Sequence, residues 1–274
     1  MTMVAENPPY TLLVEQDDFP FDPRMDSEPL GTMVCFHHDY SLGDEHSFKD
    51  TDDFFFSLLE DIHGTEKAET IWHETENRIF ENQPLGKNLN REFDTAILKI
   101  IEQDYIIMPL YLLDHSGLSI SVHDFGDYWD SGQVGVMYVS NEEALKEFDS
   151  TVLSEDLKEK VKAVLTSETQ EYNHYLKGEC YGFELFENGI EIESCWGFLG
   201  DYDDALKNME DYFPKEAKGL TSRLQEDKTP LVTSVLRASP ETQSSLKELL
   251  AQMKDTIAQE KRVEEKTSTR DYER

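Results

Sequence analysis

The spacing of apolar and polar positions divides the chain into short strand-like runs and longer helix-like ones. Residues 10–14 (Tyr-Thr-Leu-Leu-Val) and 32–36 (Thr-Met-Val-Cys-Phe) are strand-forming in type. A Pro- and Asp-rich stretch, Asp17 to Pro29, lies between them as a loop. The period then changes. Phe54, Phe55, Leu58, Leu59 and Ile62 recur at three- and four-residue spacing. This predicts a helix capped by Asp52 or Asp53 and closed near Gly64. Thr65 to Asn82 continues helical, with Ile71, Trp72, Ile79 and Phe80 apolar. Leu89 to Gln103 forms a third helix, with Phe93, Ile97, Ile100 and Ile101 on one face.

Beyond Gln103 the pattern is that of strands. Tyr105 to Leu113 is a near-continuous apolar run, which predicts a central strand buried on both sides. Asp114-His115-Ser116-Gly117 is a turn, and Leu118 to Val122 alternates as its hairpin partner. Gly132 to Val139 is a further strand, followed by a short acidic helix from Asn141 and a longer one over Ser154 to Leu176. Glu179 to Phe186 and Ile190 to Phe198 flank Glu187-Asn188-Gly189, and Asn-Gly between two such runs is a strong hairpin signal. Asp201 to Phe213 is a helix whose leading acids suit the positive end of its dipole. The expected fold is therefore α+β. It has a mostly antiparallel sheet built from hairpins, inserted helices packed on one face, and a C-terminal helical extension. There is no βαβ alternation, no Gly-rich phosphate loop and no internal repeat.

Charge adds a second division. The 274 residues carry 25 basic and 58 acidic side chains, a net of −33. Residues 215–274 hold 12 basic and 11 acidic residues, so the whole excess falls on residues 1–214. This reads as an acidic α+β domain over 1–214 and a helical extension with a frayed tail over 215–274. In the extension, Ser239-Pro240 opens a helix on which Leu246, Leu249, Leu250, Met253 and Ile257 form one apolar stripe. That stripe docks on the body or pairs with a second copy of the chain to make a homodimer. The 30 aromatic side chains exclude an acidic disordered chain. No apolar run approaches the roughly 18 residues of a membrane span. The first ten residues do not read as a secretory signal, so a cytoplasmic protein is expected. A broad basic surface for nucleic acid or anionic lipid is excluded by the charge balance.

Candidate chemistry is sparse. Cys35, Cys180 and Cys195 show no CxxC spacing and read as free thiols. His115, His123, Asp127 and Asp130 cluster around one hairpin and could hold a divalent metal or form an acid/base pair. The same residue types are also ordinary turn formers. His37-His38-Asp39 is weaker, since adjacent strand residues face opposite ways. No Gly-x-Ser-x-Gly elbow is present. Three acidic stretches stand out. The first is Asp44, Glu45, Asp50, Asp52, Asp53, Glu60 and Asp61. The second is Glu142, Glu143, Glu147, Glu155, Asp156 and Glu159. The third is Asp201, Asp203, Asp204, Glu210 and Asp211. Each alone is commonly a solvated helix face. Together, with little interleaved Lys or Arg, they suggest imitation of a nucleic acid. Net charge alone is several-fold too dilute for that, because duplex DNA carries a charge every ~1.7 Å of axis. Mimicry therefore requires the carboxylates to gather on one face.

Several blocks carry a resemblance. Leu30-Gly31-Thr32-Met33-Val34-Cys35-Phe36-His37 is followed by Tyr40-Ser41-Leu42-Gly43-Asp44-Glu45. Further on stand Pro109 to Gly117, Trp129 to Gly135, Tyr181-Gly182-Phe183 and Glu193 to Phe198. These resemble a family of uncharacterised proteins encoded by tailed bacteriophages and related mobile elements, over about residues 30–200. The resemblance implies an accessory phage product acting in the cytoplasm of the bacterial host, and it supplies no catalytic residues. In charge and setting, though not in sequence, such a chain is similar to antirestriction and anti-CRISPR proteins that imitate DNA. Three functions follow as expectations. The first is a non-enzymatic, cofactor-free inhibitor that occupies the groove of a host defence nuclease or other nucleic-acid-binding protein. The second is an adaptor binding through the 239–257 helix. The third is a metal-assisted or acid/base enzyme at the 114–131 cluster. Within the blocks, Trp129 and Trp196 read as core anchors, and Gly117, Gly132 and Gly135 as turn or close-approach positions.

Overall fold

The computed structural model describes residues 2–81, 89–227 and 231–238. In chain order the strands are β1 (Met3–Asn7), β2 (Tyr10–Gln16), β3 (Thr32–Cys35), β4 (Tyr105–Asp114), β5 (Leu118–Ser121), β6 (Ser131–Ser140), β7 (Cys180–Glu187), β8 (Ile190–Leu199) and β9 (Gln225–Glu226). The α-helices are α1 (Thr51–His63), α2 (Thr65–Phe80), α3 (Leu89–Ile101), α4 (Asn141–Glu147), α5 (Glu155–Leu176), α6 (Tyr202–Met209) and α7 (Leu231–Leu236). The fold is α+β, and every strand pair is antiparallel.

The chain forms two compact units. Among the described residues, one gathers those up to Asp18, Tyr181–Phe198 and those from Tyr202 onward. The other holds Phe19–Cys180 with Leu199–Asp201. The strands accordingly make two sheets, in the orders β8-β7-β2-β1-β9 and β3-β6-β4-β5. The division expected at residue 214 falls elsewhere for a packing reason. Ala217 and Leu220 are buried in the same cluster as Ala5, Leu12, Val14, Phe183, Leu185, Ala205, Met209 and Phe213. The segment after 214 is thus tied into the first unit by its apolar residues, despite its balanced charge. The apolar stripe over 239–257 lies outside the described residues.

In the second unit the four-stranded sheet is covered on both faces, not on the one face expected. The alternation along β3, β4 and β6 explains why. Met33, Ile106, Leu110, Met137 and Val139 pack with Leu157, Val161 and Leu165 of α5. Val34, Tyr105 and Val136 instead pack with Phe54, Leu58, Leu59, Ile79, Phe93 and Ile97 of the α1–α3 layer. A strand with a helix layer on either side needs apolar residues at odd and even positions alike. That is the origin of the near-continuous run at 105–113. Gly135 sits where β6 passes closest to β3, and a Cβ there would overlap the Val34 carbonyl and crowd the Cys35 backbone.

Local signals set the element ends. Asp50, not Asp52 or Asp53, caps α1, accepting from the Asp53 N–H at 2.9 Å. Ser140 and Glu143 form a capping box at α4. The β7–β8 turn is closed by Asn188 and Gly189, both at positive φ. Arg24, in the acidic loop before β3, is buried. Its guanidinium donates to both carboxylate oxygens of Asp44 (2.8 and 2.6 Å) and to the Gly31 carbonyl (2.6 Å), with Glu168 of α5 at 3.7 Å.

Candidate partner-binding surface

Parts of two of the three acidic stretches converge in the second unit. Asp61 projects from α1, Glu142 and Glu143 from the start of α4, and Asp44 and Glu45 from the loop after β3. They line two adjoining grooves of about 550 and 480 Å3 that share Thr32, Phe48 and Tyr138. The sheet brings these segments together. The β3–β6 register places Thr32 opposite Tyr138, and the β4–β6 register places Tyr105 opposite Ser140, the residue that starts α4. Lys146 is the basic residue at the larger groove.

The electrostatics follow from this placement. The Tyr105 hydroxyl donates to Asp61, and burial together with that carboxylate holds its pKa above the ordinary phenol range. Tyr138 is also raised. Burial is the main cause, a Thr32 hydrogen bond opposes it, and Glu143, Asp44 and Asp61 add to it. Carboxylates from three distant stretches of sequence therefore act on one phenol. At the other end of α1, burial and then Asp50 raise Asp52, while burial and then Asp52 raise Asp94.

Other predicted residues have local duties. Asp44 is held in the Arg24 ion pair and also accepts from the Met33 N–H. Its side chain is 22% exposed, so it is not a free surface charge. Asp53 accepts from the Lys49 N–H. On α5 the expectation of little interleaved Lys fails. Glu155 pairs with Lys158, Asp156 with Lys160 and Glu159 with Lys162, at 2.9–3.1 Å. Asp204 pairs with Lys207 at 2.6 Å. Glu210 accepts from the Gly219 N–H and from the Thr221 hydroxyl. Asp203, Asp204, Glu210 and Asp211 belong to the first unit, whereas the remaining predicted acids, Asp201 included, belong to the second. Glu147 and Asp211 are exposed, and Glu60 is half-buried. What converges is thus a subset: Glu45, Asp61, Glu142 and Glu143, with Asp44 behind them.

The 114–131 cluster is rearranged by its own turn chemistry. His115 Nδ1 meets Asp130 Oδ2 at 2.7 Å. Asp127 accepts from the N–H groups of Trp129 (2.8 Å) and Asp130 (3.0 Å), and these bonds hold its carboxyl below the usual range. Asp124 accepts from the Gly126 N–H at 2.8 Å. Among the described residues, two groupings bring His and carboxylate ligand atoms within 4.8 Å of one another: His37-His38-Asp39 and His174-Glu179-Asp201. Neither contains His115 or His123. Cys35 and Cys180 are buried and Cys195 is half-buried, all as free thiols. Burial, and secondarily Asp44, pushes the Cys35 thiol up to about 12.

Trp129 is not the core anchor its size suggested. It is 87% exposed, and its neighbour Tyr128 is 86% exposed. Trp196 is 42% exposed and lies across Gly182, where any Cβ would overlap its ring. No helix among the described residues is long and apolar enough to cross a membrane. No protein-family model matches the chain, and no curated protein or solved structure matches it.

Proposed function

We propose that the chain is a phage-encoded, non-enzymatic inhibitor acting in the cytoplasm of the bacterial host. It presents carboxylates to the basic groove of a defence nuclease or other nucleic-acid-binding protein. The observation that carries this reading is the convergence of Glu45, Asp61, Glu142 and Glu143 on the grooves around Tyr138, with Lys146 as the basic lining residue of the larger one. A groove of this charge and size accepts cationic side chains in place of the phosphates they ordinarily meet. The sequence blocks that resemble a phage family supply the biological setting.

The test is capture of a partner from a bacterial lysate, followed by displacement with salt and with duplex DNA. Electrostatic steering is screened over about 10 Å at 0.1 M salt. The complex should therefore weaken steeply between 50 and 500 mM salt. DNA should compete for the partner. Asp61→Asn/Glu142→Gln/Glu143→Gln should lose most of the capture. A partner that stays bound at high salt and ignores DNA would overturn the reading.

A further inference from the structure

The loop between β5 and β6 exposes two large aromatic side chains. Tyr128 and Trp129 are 86% and 87% exposed, and their rings meet edge to face with centroids 5.3 Å apart. Phe125 is 37% exposed on the same loop. Such exposure of a Trp-Tyr pair removes no apolar area from water and does not help folding. The loop is nevertheless held firmly. Asp127 accepts from the Trp129 and Asp130 N–H groups, the Ser131 hydroxyl donates to the Asp127 carbonyl at 2.6 Å, and the Asp114 N–H donates to the Asp130 carbonyl at 2.9 Å. The Trp129 backbone is thus fixed before any partner arrives, which lowers the ordering cost of binding.

The charge around these rings selects the occupant. Asp114, Asp124, Asp127 and Asp130 frame the loop, and residues 100–145 contain no Lys or Arg. Exposed aromatics on a hydrogen-bonded loop among carboxylates match guanidinium groups. An arginine can lie over the indole face while its N–H groups reach a carboxylate. Trp, Tyr and Arg are also the residue types that most often dominate binding energy at protein interfaces.

We propose that Tyr128 and Trp129 form an aromatic anchor for arginine side chains on a protein partner. This rests on the reading above, that the partner surface is basic. It adds to the preference for arginine over lysine that bidentate carboxylate pairing already supplies. The anchor lies outside every residue singled out for partner binding from the sequence.

Calorimetric titration of the full chain with hexa-arginine and hexa-lysine peptides at 50 mM salt tests it. The wild type should bind hexa-arginine more tightly than hexa-lysine. Trp129→Ala should lower hexa-arginine affinity about three- to tenfold, lower hexa-lysine affinity less and narrow the preference. Tyr128→Ala should show the same pattern more weakly, and Trp129→Phe should keep part of the preference. Asp61→Asn/Glu142→Gln/Glu143→Gln should weaken both peptides alike and leave the preference intact. If Trp129→Ala leaves the arginine preference undiminished, the anchor is wrong and the acidic groove stands. If the triple variant binds both peptides as the wild type does while Trp129→Ala does not, the groove is wrong and the anchor stands. If neither peptide binds the wild type, both fail.

Discussion

Removing the guanidinium of Arg24 should destabilise the second unit strongly, and more so at neutral pH than at acid pH. Arg24→Met keeps about the aliphatic stem of the side chain and deletes the guanidinium and its charge. Three oxygens then lose the guanidinium: both of Asp44, at 2.8 and 2.6 Å, and the Gly31 carbonyl at 2.6 Å, with Asp44 Oδ2 keeping only the Met33 N–H. Glu168 keeps the Leu30 and Gly31 N–H groups at 2.7 and 3.0 Å but loses its neighbouring cation. Breaking a buried pair from one side costs about 3–5 kcal/mol. The side chains of Asp44 and Glu168 are 22% and 14% exposed, so some water can reach them. The lower end, about 3 kcal/mol, is the expected loss at pH 7, equivalent to about 6–12 °C in a unit of this size. The pH dependence follows from Glu168, whose carboxyl is already raised. Burial is the main cause, opposed by its backbone hydrogen bonds and by Arg24. A carboxyl with a raised folded pKa binds its proton more tightly in the folded state. Its contribution is complete below the unfolded value and is lost as pH rises through the folded one. Without Arg24 the folded value climbs further, so the deficit of the variant should shrink by on the order of 1 kcal/mol between pH 7 and pH 5. Urea unfolding of wild type and variant at both pH values measures this. A deficit under about 1 kcal/mol, or one that grows as the pH falls, would refute the buried ion-pair argument.

Gly135→Ala should cost about 1–3 kcal/mol, because the added methyl meets the β3 backbone, which cannot swing aside; calorimetric unfolding checks it. Native protein at pH 8 should show one reactive thiol with Ellman's reagent, Cys195, with Cys35 and Cys180 reacting only after denaturation. Rapid modification of all three would contradict their burial. Asp52→Asn should stabilise the protein at neutral pH. Ionising Asp52 works against burial and Asp50, and this outweighs the favourable helix dipole. By the same linkage the gain should fade as the pH falls toward the unfolded carboxyl value of about 3.9, and paired urea titrations read that sign directly.

Much of the secondary structure was legible because its signals are local. The Asn188-Gly189 turn, the 105–121 hairpin and the helical faces around Phe54, Phe93 and Leu165 depend on spacing and turn chemistry within a few residues. What was missed depends on distant partners. Met3–Asn7 is short and its apolar residues do not alternate with polar ones, yet it pairs along its whole length with β2. Arg24 drew no notice in an acidic loop, although a lone Arg among so many acids is a usable sign of a buried ion pair. Asp44 and Glu45 are alike in sequence, and only the position of Arg24, twenty residues upstream, separates a structural carboxylate from an exposed one. Trp129 was misassigned because large aromatics are ordinarily buried. The cue that it is not lies in Asp127 and Asp130, whose turn lifts it outward.

The disposition of the acids is not what solubility alone would produce. Carboxylates that serve only to keep a protein apart from its neighbours do best when they also stand apart from each other, since self-repulsion works against the compact state. On α5 this rule is obeyed: each predicted acid has a lysine three or four residues away. Around α1 it is not. Asp50 acts on Asp52 and Asp52 on Asp94, while Asp44, Asp61 and Glu143 together act on Tyr138. The chain thus pairs each acid on α5 with a lysine, whereas at the groove Asp61, Glu142 and Glu143 gather around Lys146, with Asp44 held by Arg24 behind them. Repulsion left in the free protein is relieved by whatever cation arrives, so binding and folding stability are linked through the same carboxylates. Charge of this kind sets the encounter rate and the sign of the partner but discriminates poorly among basic surfaces. Discrimination then falls to a group with shape and direction, the role proposed above for the exposed Tyr128-Trp129 pair on the same unit.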